Sequence, residues 1–169
     1  MPRFQPEAML QTLEAHRVHY ILIGGLAATL HGSPLRTGDA DICPARDSEN
    51  LERLAQALRR MGAKIRTADA PDGLSFSCDA RFLGGVELLN LTTRFGDLDL
   101  SLRPAGTGGY EDLFQHVEHY DLGGLVVPVA TLADVIRSKQ AANRSKDQAA
   151  LPTLHSLLAH RRRGESQGS

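Results

Sequence analysis

Apolar residues along this chain alternate between a helical and a strand spacing, and the switches divide it into elements. Met9, Leu10 and Leu13 give residues 6–16 a short helical pattern. The compact run "HYILI" (19–23) reads as a buried strand ending at Gly24 and Gly25, and "LAATLH" (26–31) reads as a helix. "DADIC" (39–43) alternates as a second strand. Leu51, Leu54, Leu58 and Met61 mark an amphipathic helix over 48–61, closed by Gly62. "AKIR" (63–66) predicts a short strand, and Pro71, Asp72 and Gly73 put 67–75 in a loop. "VELLNLTT" (86–93) and "DLDLSLR" (97–103) flank Phe95-Gly96 as a hairpin. "HVEHYDL" and "LVVPVA" flank Gly123-Gly124 as another, after a flexible "PAGTGG" loop.

The last third reads as helix. Thr131 with Asp134, and Ser145 with Gln148, have capping-box spacing, so one helix should stop near Asn143 and a second begin at Lys146. Pro152 should break or restart that second helix. Strands with a few helices, followed by helices alone, predict an α+β or mixed α/β fold. At 169 residues the chain suits one domain, with a core over about 1–130 and C-terminal helices over about 131–163.

Composition narrows the setting. The chain is 41% apolar and 23% charged, as in ordinary globular proteins, and no apolar run approaches the ~20 residues of a membrane helix. "MPRFQPEAML" lacks the apolar core of a signal peptide, and Cys43 and Cys78 have no CxxC spacing. A reducing cytoplasm is expected, with neither structural zinc nor a membrane partner. The net charge is −1, but basic residues cluster at Arg59, Arg60, Lys64 and Arg66, at Arg137, Lys139, Arg144 and Lys146, and at Arg161 to Arg163. Such clusters are either solvated helix ends or local anion-binding surfaces. Aromatic residues make up 5% with no Trp, so few platforms for base stacking are available.

Four stretches could carry chemistry. A strand running into Gly24-Gly25 and a helix either forms a tight turn or lets backbone approach a phosphate. Asp39 and Asp41 share one side of a strand, so their repulsion must be offset. Mg²⁺ would do so through hard oxygen ligands; a solvent-exposed edge guarded by charge is the alternative. Asp97 and Asp99 repeat the arrangement. Asp99, deeper in its strand, is the better third carboxylate, and Asp97 reads as a hairpin-turn acid. Three carboxylates on adjacent strands can hold two Mg²⁺ ions for phosphoryl chemistry. Lys139 and Asn143 share a helix face, where lysine either neutralises a triphosphate or faces solvent. His31 reads as a packing or hydrogen-bonding residue, and no Ser-His-Asp or Cys-His set stands out.

Together, "IGGLAATLHGSPLRTGDADI", "TTRFGDLDLSLRPAGTGGYEDL" and "VATLADVIRSKQAANRSKDQAAL" resemble the polymerase-β-like nucleotidyltransferase superfamily. The closer resemblance is to small bacterial toxins of the AbiEii and MenT-like group. The matching stretches cover about two-fifths of the chain. The resemblance implies a short mixed sheet flanked by helices. It implies a phosphate-binding turn at Gly24 and Gly25, a metal pair at Asp39 and Asp41, and a third carboxylate at Asp99 that helps deprotonate the acceptor. Lys139 would hold the nucleotide's phosphates, with Arg36, Arg144 and Asp147 in recurring nucleotide-site positions. Many superfamily members carry Gly-Ser where this chain has Gly24-Gly25, and Ser33 lies too far on to replace that serine.

The implied reaction moves a nucleoside monophosphate from an NTP to an acceptor hydroxyl with Mg²⁺ or Mn²⁺. The acceptor is expected to be RNA, foremost the 3′ end of tRNA, with a cognate antitoxin as partner. The alternatives are a protein side chain, a small antibiotic, or a non-catalytic protein-binding role.

Overall fold

In the computed structural model, which describes residues 2–167, seven strands form one mixed sheet between helices. In chain order the elements are α1 (Pro6–Ala15), β1 (Tyr20–Ile23), α2 (Gly24–Leu30), β2 (Asp39–Pro44), α3 (Ser48–Arg60), β3 (Lys64–Ile65), α4 (Ala80–Gly84) and β4 (Leu88–Thr93). Then follow β5 (Gly96–Ser101), α5 (Tyr110–Phe114), β6 (Glu118–Leu122), β7 (Leu125–Val129), α6 (Leu132–Ala142) and α7 (Ser145–Gln167). The strand order is β3-β4-β5-β2-β1-β7-β6. β2 and β5 are parallel, as are β1 and β7, and the other pairs are antiparallel. The expected α+β architecture and both hairpins are present.

Alternation along β2 and β5 sorts the two faces of the sheet. Ala40, Ile42, Leu98 and Leu100 are fully buried, while Asp39, Asp41, Asp97 and Asp99 stay partly accessible. The buried set joins Met9, Leu10 and Leu13 of α1 and Leu51, Leu54 and Leu58 of α3 in a cluster that extends to Leu154 of α7. α3 is set by its caps: the Asp47 carboxylate accepts from the Asn50 amide at 2.9 Å, and Arg59 and Arg60 complement the last turn. At α6 the Thr131 hydroxyl accepts from the Asp134 amide, and Asn143 closes the helix in the left-handed conformation.

Several boundaries differ from the sequence expectation. α2 begins at Gly24, so both glycines lie in its first turn rather than ahead of it. α4 and α5 are single turns too short for periodicity to reveal. α7 starts at Ser145, and the Ser145–Gln148 box does not form. Instead Asp147 accepts from the Arg144 amide at 3.1 Å, and the Gln148 side chain donates to Asn143 at 2.7 Å. Pro152 does not break α7. It forgoes one intrahelical bond, but Ala150 and Leu151 on one side and Leu154, Leu157 and Leu158 on the other pack against the core. Tertiary burial therefore holds both halves in one helix. Among the described residues, no helix is long and apolar enough to cross a membrane.

Candidate active site

Ile23 pairs with Asp41 across β1 and β2, so the end of β1 delivers Gly24 directly onto an aspartate. Gly24 has φ +67°, and a Cβ there would lie 2.9 Å from the Asp41 Cγ and overlap its carboxylate oxygen. A Cβ on Gly25 would stand 3.1 Å from the Thr37 hydroxyl oxygen. That hydroxyl donates to the Asp39 carbonyl at 3.0 Å and reaches the Asp39 carboxylate at 3.4 Å. The glycine pair and the acidic pair are thus one packed unit: Gly24 is required by the Asp41 carboxylate and its left-handed φ, and Gly25 fits tightly against Thr37.

The parallel register of β2 and β5 sets Asp39 beside Asp97 and Asp41 beside Asp99. Burial raises the Asp41 carboxyl to about 7, with the charges of Asp39 and Asp99 adding to it and Lys146 and Lys139 opposing. Burial likewise raises Asp99 to about 6 against the pull of Arg66. Arg66 explains why Asp99 can sit there: its guanidinium lies 2.9 Å from Asp99 and 3.0 Å from Asp97. Asp97 is therefore an ion-paired strand residue, not a turn acid. Arg66 was missed in the sequence, where it was one member of a basic cluster 33 residues from its partner.

A cleft of about 760 Å³ opens over the acids. Gly24, Gly25, Arg36, Asp39, Asp41, Lys139 and Arg144 all line it, as do Lys146 and Arg103. Its far wall is built by α6 and the start of α7. Two anticipated residues lie outside the lining. Asp99 lies between Arg66 and the Asp39 side chain, hydrogen-bonded to both, and Asp147 is buried behind the wall, where it accepts from Arg144 Nε at 2.7 Å and pairs with Lys139 Nζ at 3.6 Å. Burial would raise the Asp147 carboxyl, but the Arg144 hydrogen bonds and the Arg144 and Lys139 charges hold it below the ordinary carboxylate range. Asp147 thus anchors two cations that face the cleft.

Among the described residues, no three His, Cys, Asp or Glu side chains are gathered as a ready-made metal cage. The donor set still suits a hard divalent ion: Asp39 and Asp41 are adjacent carboxylates, and a cation would offset both the burial of Asp41 and the repulsion that adds to it in raising that carboxyl.

His31 is buried at the end of α2, away from the acids. Its Nε2 lies 2.7 Å from the Ala130 carbonyl, and its Nδ1 faces the Tyr120 hydroxyl at 2.9 Å and Arg161 Nη1 at 2.8 Å. Nε2–H donates to the carbonyl and Nδ1 accepts, which is the structural role its sequence context suggested. Arg161 is consequently occupied, tying α7 to β6 and α2. Neither it nor Arg162 or Arg163 lines the cleft.

No protein-family model and no curated protein matches the chain. Solved structures do match. The lincosamide antibiotic adenylyltransferase LnuA, solved with lincomycin bound, is 16% identical with a TM-score of 0.61, covering 93% of this chain and 99% of its own. ANT(2″)-Ia in complex with adenylyl-2″-tobramycin is 11% identical with a TM-score of 0.54, covering 97% of each chain. An antigenic nucleotidyltransferase-like protein from Paracoccidioides brasiliensis is 18% identical with a TM-score of 0.52, covering 94% of this chain and 78% of its own. The chain has the nucleotidyltransferase fold.

Proposed function

We propose that this protein is a metal-dependent nucleotidyltransferase that moves a nucleoside monophosphate from an NTP to an acceptor hydroxyl and releases pyrophosphate. The observation that carries the reading is the placement of Asp39 and Asp41, in register with Asp97 and Asp99, on the floor of a cleft walled by Arg36, Lys139, Arg144 and Lys146. Asp39 and Asp41 would hold Mg²⁺ or Mn²⁺. When bound, the ion supplies charge neutralisation and Lewis acidity at the reacting phosphate. Gly24 and Gly25 leave room for phosphate beside the acids, and Lys139, steadied by buried Asp147, offers a compact charge to the triphosphate. Arg36 and Arg144 add charge at the cleft wall. Asp99 would accept the acceptor's proton. Such chemistry depends on alignment and charge more than on a protein nucleophile.

RNA is the proposed acceptor, foremost the 3′ end of tRNA, in a toxin whose action a cognate antitoxin would restrain. Support comes from the resemblance to the AbiEii and MenT-like group; among the described residues Arg36, Arg103 and Lys146 add positive charge without a salt-bridge partner along the cleft. A small-molecule acceptor is the second reading, favoured by the end-to-end likeness to two structures with antibiotics in their sites.

Incubation with each α-labelled NTP, Mg²⁺ and either total RNA, total protein or an antibiotic panel separates these readings. Label in RNA is expected, with binding that weakens as salt rises. Label only in a drug or in protein would replace the acceptor, and no pyrophosphate release with any NTP would reject the enzyme.

A further inference from the structure

Arg66 follows the two-residue edge strand β3 and reaches across β4 to β5. It is held from both ends. Its amide donates to the Asn90 carbonyl at 2.9 Å, and Nη1 donates to the Leu91 carbonyl at 3.0 Å. The strand that carries it is pinned in turn by two backbone bonds between Ile65 and Leu74, at 2.9 and 2.7 Å. The guanidinium therefore has a built seat, from which one nitrogen faces Asp97 and the other Asp99. Asp39 and Asp41, one strand away, take no such partner among the described residues. Four carboxylates lie in two facing pairs, and one pair already has a cation.

We propose that Arg66 is an internal counter-cation that competes with a divalent metal ion for Asp97 and Asp99, so that an ion using the third carboxylate must displace or share the guanidinium. The inference rests on the metal-dependent reading above. Asp99 Oδ1 is taken by the guanidinium, and a cation approaching Asp99 meets a like charge a few ångströms away. The Asp99 carboxyl also shares a hydrogen bond with the Asp39 side chain, so it already lies against the acid pair and the exchange needs only a side-chain shift. Arg66 in this role is a positioning residue: it acts through the carboxylates and sets how much metal the site requires.

The test is Mn²⁺ binding to the intact, nucleotide-free protein, followed by electron paramagnetic resonance of the free ion and by calorimetry. Circular dichroism checks the fold. Removing the competing charge in Arg66→Gln should tighten Mn²⁺ binding about tenfold or more. Arg66→Lys keeps a charge but cannot fork between two carboxylates, so it should tighten binding by a smaller factor of about three. If Arg66→Gln does not fold, Arg66→Lys carries the test alone. Equal affinity in wild type and variants overturns this inference and leaves the enzyme reading standing. Weaker binding in the variants also overturns it, because Arg66 would then organise the site instead of competing for it. Absence of Mn²⁺ binding in every form overturns this inference, while the enzyme reading is decided by pyrophosphate release.

Discussion

Replacing Asp41 with asparagine should abolish transfer and, without metal, make the protein more stable at neutral pH. The side chain keeps its shape, so the effect is electrostatic. In the folded chain, burial and the neighbouring acids raise this carboxyl from 3.8 to about 7. The folded state therefore keeps the proton after the unfolded chain has released it. Stability falls as pH climbs through that interval, and the penalty is complete above about pH 7. A shift of this size corresponds to at most about 4 kcal/mol. Solvent at the cleft and shared repulsion with Asp39 and Asp99 reduce this to about 2–3 kcal/mol. For a chain of this length that is a rise in Tm of about 5–10 °C.

Calorimetry in EDTA at about pH 8 and about pH 4 measures the effect, with the gain expected at the higher pH and nearly absent at the lower. Mg²⁺ at the higher pH should stabilise the wild type and leave the variant unmoved. An Asp41→Asn protein no more stable than wild type at pH 8 without metal would refute the reasoning, and retained turnover would remove Asp41 from the mechanism.

Gly24→Ala should drive a methyl group into the Asp41 carboxylate at a left-handed φ, costing about 1–3 kcal/mol and transfer with it, as thermal melts and labelled-NTP assays would register. Gly164→Ala, where a Cβ meets nothing within 4 Å, should instead leave activity intact and add about 0.5–1 kcal/mol to stability. Lys139→Ala should raise the NTP concentration needed for half-maximal transfer and slow the reaction, with Lys139→Arg a partial rescue; unchanged kinetics would leave the lysine only as the partner of buried Asp147. Arg161→Ala should lower Tm by a few degrees, consistent with about 1 kcal/mol for its hydrogen bond to His31, while RNA binding persists. Loss of RNA binding at unchanged Tm would show that Arg161 contacts nucleic acid instead.

The local pattern determined much of this protein. Apolar spacing placed α1, α3 and both hairpins, because a helix face or a strand face must be buried wherever it lies. The alternation in "DADI" and "DLDL" fixed that two acids on each strand share a side, a consequence of the two-residue period that needs no partner strand. The glycine pair and the acidic pair also stood out as candidates for chemistry. What lay beyond the sequence depends on contacts between distant residues. Only the parallel register of β2 and β5 put Asp41 beside Asp99. Only the path of β3 brought Arg66, one cation among several in its cluster, onto Asp97 and Asp99. Gly24 looked like a phosphate turn, yet its necessity comes from the Asp41 carboxylate across the sheet. Pro152 looked like a stop until burial on both sides outweighed one missing hydrogen bond, and Arg161 looked like a free basic tail until the fold set His31 beneath it. Spacing along a chain reports which face a residue occupies; which charge it meets there is decided by the packing of the whole.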